Sequence, residues 1–551
     1  VVVSVALLCV GYLAISALGD SRGTLGTDTG GKLATLGEMD RNGSWTPDVG
    51  YWAADVDPDG VAHPLYYTVR FDDAYVNVTT LPMLFVAKPL YDIGGTRLAL
   101  LLPMLGGVLS ALAARALAAR LGSTRPNVAF WVVGAASPVA VYALDLWEHT
   151  LGLACMAWAV VWLVDLVESR RPVGLAGLSA GALVGVGATM RTESLLYGAV
   201  FITVALLIVA RRSAFDATRA ASMAVVGVLV VLGAGEMLER AVLGEPLRST
   251  RATGTATNAG GHFGTRLREG LRTSVGLNYA DFAVDMLVGV LIVAGLVAIA
   301  VFGLRGTRHR RHAVEAVVAV AVLYAVRLRT GLSFVSGMFA ATPIAILGMM
   351  RHLTGHAQSD DACGVEGTRG RWLVLTALGC LPAVWAVQYI GGAAPQWGGR
   401  YVLLSGFVLG VLGAVALEDV PTSTRRVFGV LAVAVTAYGM LLVVDRTNDS
   451  ARIADTLLAR DEQVVVARFG HVFREIGSDY RRDRQWLTAV DQRAIDVTRS
   501  VIADRAPETI AVITYPVDPD IDLDGYEVTT RVRLQFFSEG LEIRRYERVD
   551  Q

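Results

Sequence analysis

The residues best suited to acid–base chemistry gather in the first long polar stretch, Asp20 to Thr80, and within it in the run GTDTGGKLATLGEM from Gly26 to Met39. Asp28 stands there without an acidic neighbour, so it could take a proton from a hydroxyl as a single general base. The same run, TDTGGKLATL, reads as a turn entering a helix with Asp28 at the N-cap, and the two roles are compatible. Asp20, at the end of the first apolar block, competes for the role of base. Lys32 lies one helical turn beyond Asp28 and, with Lys88, is one of only two lysines in the chain; it could pair with Asp28 or with a phosphate. His63, in AHPLYYTVRFDDAY, belongs to an aromatic-rich piece that could stack on ligand rings or pack a loop core.

Three further polar groups interrupt later apolar blocks. In LDLWEHT, Glu148 and His149 could bind hydroxyls or relay a proton, with plain packing as the alternative for the histidine. In MRTES, Arg191 and Glu193 are spaced to pair with each other or to offer the arginine to an anion. In QWGGRYVL, Arg400 follows two glycines that would allow close approach, and Trp397 suits headgroup depth, which makes Arg400 the best phosphate ligand on sequence. Arg327 and Arg329 are weaker candidates of the same kind.

What must position these groups is a membrane scaffold. Of 551 residues, 53% are hydrophobic, mean hydropathy is +0.48, and the apolar residues form long blocks. The net charge of −1 gives no basis for nucleic-acid binding. About thirteen spans are expected, near 1–18, 97–118, 127–144, 150–167, 173–189, 195–210, 219–238, 284–304, 313–326, 335–350, 372–390, 401–417 and 426–444. The spans at 313–326 and 335–350 are short enough to be half-membrane segments. The opening run VVVSVALLCVGYLAISALG reads as a truncated first span rather than a cleaved signal peptide.

With a cytoplasmic start, successive inward loops carry Arg115, Arg120 and Arg125; Arg170 and Arg171; Arg211, Arg212 and Arg219; Arg305 to Arg311; Arg351, Arg369 and Arg371; and Arg425 and Arg426, as the positive-inside rule requires. The first loop (19–96), the three polar groups above and everything after Asp445 then face outward. LPMLFVAKPLYDIGG, Leu81–Gly95, reads as an interfacial helix or a re-entrant loop. The domain division expected is a transmembrane domain over 1–444 and a small soluble α/β domain over 445–551, with β-rich runs at QVVVARFG, TIAVITYP and LEIRRYERV. The aspartates 518, 520, 522 and 524 alternate, but Pro519 breaks calcium-loop spacing.

A carboxylate after the first span and arginines at later outer span ends suit transfer from a lipid phosphate, whose leaving group is already stable. Such transfer needs one base and cations for the phosphate, and no nucleotide site. In the order and common side of GTDTGGKL, LWEHTLG, MRTES and QWGGRYVL, with GMFAATPIAILG upstream of the last, the chain resembles the GT-C superfamily of polyprenyl-phosphate-sugar-dependent integral-membrane glycosyltransferases. The resemblance implies an α-helical polytopic membrane fold and a glycosyltransferase, hexosyl or pentosyl, of the cell membrane. Asp28 would be the inverting base; Arg400, Arg191 and Lys32 would hold the donor phosphate; Glu148, His149, His63 and Trp397 would meet acceptor or sugar. The partners implied are a polyprenyl-phosphate sugar donor and an envelope glycan, lipid or protein acceptor. Many members carry an acidic pair in the first loop, and its absence here disfavours a metal-dependent variant; no metal ligand set is visible, and a divalent cation is left open as cofactor. The competing class is a transporter or flippase of a lipid-linked precursor, which the lack of inverted halves and of midplane charges disfavours.

Overall fold

The computed structural model describes every residue except 78–80, 245–262, 277–281, 306–309, 330–336, 355–364, 388–396, 537–538 and 550–551. Most of the polar segments 239–283, 327–337 and 391–401, and the side chains of Arg327 and Arg329, therefore lie outside the described residues.

Among those described, eight helices are long and apolar enough to cross a membrane: Leu101–Arg120, His149–Val167, Val173–Met190, Glu193–Ala210, Ala214–Leu243, Ala283–Leu304, Gly370–Val387 and Thr422–Leu458. This corrects the expectation of about thirteen. Two of the expected spans are broken by proline, which cannot donate a backbone hydrogen bond and crowds the carbonyl four residues back. The block 127–144 divides into Pro126–Ala135 and Pro138–Tyr142, with Ser137 between them accepting from the Val139 N–H. The block 335–350 divides at Thr342-Pro343 into Met338–Ala341 and Ile344–Leu353. Of the others, Leu403–Ala416 is short, Val2–Ser16 is a 15-residue apolar helix at the start of the sequence, and 313–326 lies within the 20-residue helix Arg310–Arg329, whose apolar stretch is His312–Ala325. A helix of 14 residues rises about 21 Å, against a hydrocarbon core of about 30 Å.

The chain falls into two compact units. One comprises Val1–Ala14, Leu102–Glu236 and Ala252–Leu442; the other comprises Ile15–Leu101, Met237–Arg251 and Val443–Gln551. In the first, small residues let helices approach closely. A Cβ on Gly181 would fall 2.0 Å from the Ala224 carbonyl oxygen, and one on Gly413 2.1 Å from that of Ile344.

The second unit joins the first loop and the tail in one core. A five-stranded sheet has the order β4-β3-β5-β7-β6, where β3 is Val464–Ala467, β4 Trp486–Thr488, β5 Thr509–Thr514, β6 Tyr526–Phe536 and β7 Glu539–Arg548. β3 is parallel to β4 and β5, and β7 is antiparallel to β5 and β6. The parallel β4–β5 connection needs a crossover, supplied by the helix Gln492–Arg505, whose N-cap Asp491 accepts from the Ala494 N–H at 2.9 Å. β3, β5 and β7 fall on the three runs predicted from sequence; β4 and β6 were not among them. From the first loop, Val49, Tyr51, Ala53, Ala62 and Leu65 pack into the same core as Val464–Ala467 and Ile510–Ile513. Polar ties fix the register: Trp52 Nε1 donates to the Trp486 carbonyl (2.9 Å), Thr488 N to Ala62 (2.9 Å) and Thr488 Oγ1 to Pro64 (2.9 Å). A two-stranded hairpin, β1 (Thr68–Phe71) and β2 (Ala74–Asn77), completes the loop.

Candidate active site

Asp28 lies in the first turn of the helix Thr27–Arg41, which is buried from Thr29 through Met39. The N-cap is Gly26, which makes no side-chain cap bond, so Asp28 sits two residues inside the cap position. A carboxylate in the first turn still benefits from the helix dipole. Its Oδ1 accepts from Arg474 Nη2 at 3.1 Å; the arginine side chain is 4% exposed and the carboxylate 44%. Arg474 belongs to the tail, in the tight turn Phe473–Asp479. That turn closes on the helix because Gly30 and Gly31 have no side chains: a Cβ on Gly30 would lie 1.5 Å from the Arg474 carbonyl oxygen, and one on Gly31 2.5 Å from Asn77 Oδ1. The pair GG in GTDTGGKL is therefore a packing requirement that sets Arg474 against Asp28.

Lys32 is 1% exposed, and its ammonium donates to the Asp28 main-chain carbonyl at 3.4 Å. Asp20 is held by Arg22, from Nη2 to Oδ2 at 3.0 Å and from the backbone N–H to Oδ1 at 2.9 Å. Partial burial pushes its carboxyl up, but the Arg22 hydrogen bonds and charge prevail and hold it below the usual carboxylate range. Arg22 in turn reaches Asp455 at 2.7 Å, so Asp20 is committed to an ion-pair network. His63 is 3% exposed. Its Nε2 faces the Gly50 carbonyl at 2.9 Å and its Nδ1 accepts from the Leu65 N–H at 3.1 Å, which assigns the proton to Nε2. Burial pushes its pKa down to about 4. With both nitrogens used by backbone and the ring between Tyr51 and Tyr75, His63 serves the packing of the loop.

The other sequence candidates assemble in the membrane unit. The span Val173–Met190 ends at Arg191, which is extended, and a new helix starts at Glu193. Arg191 Nε donates to Glu193 Oε1 at 2.8 Å and Nη1 to Glu148 Oε1 at 3.4 Å. Its guanidinium also lies over the Tyr401 ring, 5.0 Å from the centroid, and Gly152 leaves room for its stem, a Cβ there falling 3.0 Å from Arg191 Cγ. Arg400 covers Tyr401 as well, at 4.8 Å, and donates to its hydroxyl at 3.0 Å. Two arginines thus share one aromatic ring while two glutamates face one of them. Arg191, Glu193, Arg400 and Tyr401, with His149 and Tyr197, line a small cavity of about 30 Å³, room enough for water.

Gly398 and Gly399 both have φ of +67°, a conformation that favours glycine. The space they leave is filled by protein, since Cβ atoms there would meet Pro138 Cγ at 2.3 Å and the Thr273 carbonyl oxygen at 2.5 Å. Trp397 is 2% exposed, with its carbonyl accepting from Tyr142 OH at 2.7 Å. His149 is equally buried and stacks on Tyr142, with centroids 4.8 Å apart and planes at 3°. Both rings are buried in packing rather than presented at a surface. Among the described residues no group of three or more His, Cys, Asp or Glu is arranged to hold a metal ion. Asp520 is engaged by Arg531 at 2.7 Å and Arg544 at 2.9 Å.

No family model matches the chain, and no curated protein matches it. Solved structures do. The chain is similar to ArnT from Cupriavidus metallidurans. The apo structure is 13% identical with a TM-score of 0.44, covering 98% of this chain and 97% of that one. The structure bound to undecaprenyl phosphate is 14% identical, with a TM-score of 0.41 and the same coverage. The mycobacterial arabinofuranosyltransferase AftD is 11% identical with a TM-score of 0.42, over 99% of this chain and 40% of AftD. At these scores the functional reading rests on the residues of this chain.

Sequence missed Arg474 and Tyr401 as members of these clusters. HVFREIG carries no signal for Arg474, whose position depends on a long-range contact. Tyr401, adjacent to Arg400, was within the quoted motif, and its ring is what both arginines use.

Proposed function

We propose that the protein transfers a sugar from a polyprenyl-phosphate donor to a hydroxyl acceptor on the extracytoplasmic side of a cell membrane, with Asp28 as general base. The observation that carries this reading is Asp28 itself: a half-exposed carboxylate on a buried helix, held by a buried arginine and followed one turn later by a buried lysine. The acceptor oxygen bonds to the anomeric carbon as the bond from that carbon to the donor phosphate oxygen breaks. The electron pair leaves with the phosphate, and the acceptor proton passes to Asp28. A carboxylate is a weak base, but the hydroxyl becomes acidic as its new bond forms, so a weak base is enough late in the step. One displacement gives inversion at the anomeric carbon.

In the membrane unit, Arg191 and Arg400 are the residues proposed to bind the donor phosphate. Arg191 is paired with Glu148 and Glu193 and Arg400 donates to the Tyr401 hydroxyl; both guanidiniums suit an anion as ligand. The support for a lipid-phosphate donor is the placing of both arginines at interruptions of apolar helices, where a headgroup would lie. The outward orientation rests on the arginine-rich loops on the opposite ends of the spans.

The test uses the full chain in lipid nanodiscs with polyprenyl phosphates carrying a radiolabelled hexose or pentose. Label appearing in a new glycoside supports the reading. Label that crosses the bilayer of proteoliposomes with the donor intact would replace it with a transporter.

A further inference from the structure

We propose that Tyr66 and Tyr67 form a carbohydrate-binding platform for the acceptor beside Asp28, with the Tyr67 ring as its stacking face. The proposal rests on the reading of Asp28 as the base. Tyr67 has a φ of +67°, in the left-handed region that bulky side chains rarely occupy and that tends to persist where the surroundings impose it. The surroundings here are specific. Asn77 Nδ2 donates to the Tyr66 carbonyl at 3.1 Å and to Thr68 Oγ1 at 3.3 Å, and Thr68 Oγ1 donates to the Leu65 carbonyl at 2.6 Å. The peptide before Tyr67 and the side chain of the residue after it are therefore pinned, and the turn is built rather than loose.

The turn puts two large rings in water. Tyr66 is 39% exposed and Tyr67 44%, with centroids 4.1 Å apart. Tyr66 is backed by Gly470, where a Cβ would come 2.4 Å from its ring, so the pair has a rigid floor. Two ties connect the platform to the base. Arg474 lies 5.9 Å from the Tyr67 ring centroid and 3.1 Å from Asp28 Oδ1, so one guanidinium spans ring and carboxylate. Asn77, which pins the turn, also sits against Gly31, in the helix that carries Asp28. Strain, exposure of paired aromatics and proximity to a half-exposed carboxylate coincide at one place. A sugar has an apolar C–H face and a hydroxyl rim; a tyrosine offers a flat apolar face and a polar tip. The ring that stacks here is the one whose hydroxyl Asp28 would deprotonate, which makes it the acceptor's.

The experiment is saturation-transfer NMR of mannotriose, galactotriose and arabinotriose with the full chain in nanodiscs, for wild type, Tyr67→Gly, Tyr67→Trp and Asp28→Asn. Glycine fits the backbone of residue 67 and removes only the ring, so its thermal midpoint is expected to match or exceed wild type. At least one trisaccharide is expected to bind wild type, to weaken about tenfold in Tyr67→Gly and to be retained in Tyr67→Trp. Binding of a polyprenyl-phosphate sugar is expected to be unchanged in Tyr67→Gly, which separates an acceptor platform from a donor site. Binding by none of the three sugars, or equal binding in wild type and a folded Tyr67→Gly, overturns the platform. Tyr67-dependent binding together with full turnover in Asp28→Asn keeps the platform and removes the base assignment.

Discussion

Asp28 with Arg474, and Arg191 with Glu148 and Glu193, are both arginine–carboxylate arrangements, yet they are built in opposite senses. In the first the arginine is buried and the carboxylate is 44% exposed. In the second all three partners are at most 13% exposed, and the arginine is shared between two acids and an aromatic ring. A buried, ion-paired cluster holds its members in place, and losing one partner leaves an uncompensated charge. An exposed carboxylate steadied from behind by a buried cation can meet a reacting hydroxyl. The comparison separates a group placed to react from groups placed to hold one another and, on the proposed reading, the donor phosphate.

The largest effect should come at the reactive side. Asp28→Asn keeps the shape and removes the base, and kcat for transfer is expected to fall about 10²–10⁴-fold, read in a transfer assay with unchanged thermal stability. At the holding side, Arg191→Met would strand Glu148 and Glu193. A loss of about 3–5 kcal/mol in stability is expected, checked by thermal unfolding in detergent, and pairing it with Glu193→Gln should recover part of it. A near-wild-type midpoint in Arg191→Met would break the contrast between the two clusters.

His63 gives a pH signature. Its folded pKa of about 4 lies below the usual value of 6.5, so the neutral ring stabilises fully above about pH 6.5, and that contribution is lost as pH falls toward 4. The melting temperature of the unit should drop across that window, and His63→Gln should flatten the dependence, by up to about 3 kcal/mol at neutral pH. The smallest effect is at Arg474. Because Asp28 is half exposed, solvent screens the pair, and Arg474→Met is expected to cost roughly 1 kcal/mol of transition-state stabilisation, about fivefold in kcat. Little change in donor KM and partial recovery in Arg474→Lys would distinguish positioning from donor binding.

Much of the candidate site could be read locally. Asp28 followed by GGKL predicts a carboxylate entering a helix, and the spacing in MRTES predicts the Arg191–Glu193 pair, because both depend on neighbours a few residues apart. The missed features are long-range. Nothing in HVFREIG reveals that Arg474 meets residue 28; the shape of Gly30 and Gly31 decides it. Trp397 and the glycines after it suggest a lipid-facing anchor, yet Tyr142 and Pro138 fill that space. The membrane helices show the other limit: hydropathy finds apolar blocks, but Ser137-Pro138 and Thr342-Pro343 break two of them, and the helix Leu403–Ala416 has only 14 residues. The common core of first loop and tail is equally invisible, since its residues are separated by some four hundred positions.

The most direct measurement is sugar transfer by wild type and Asp28→Asn side by side in nanodiscs, with donor binding measured in both. Turnover by wild type, none by the variant and equal donor binding is the expected result. Undiminished turnover in Asp28→Asn, or donor consumption without glycoside formation in wild type, would contradict the assignment of Asp28 as the base of a glycosyl transfer.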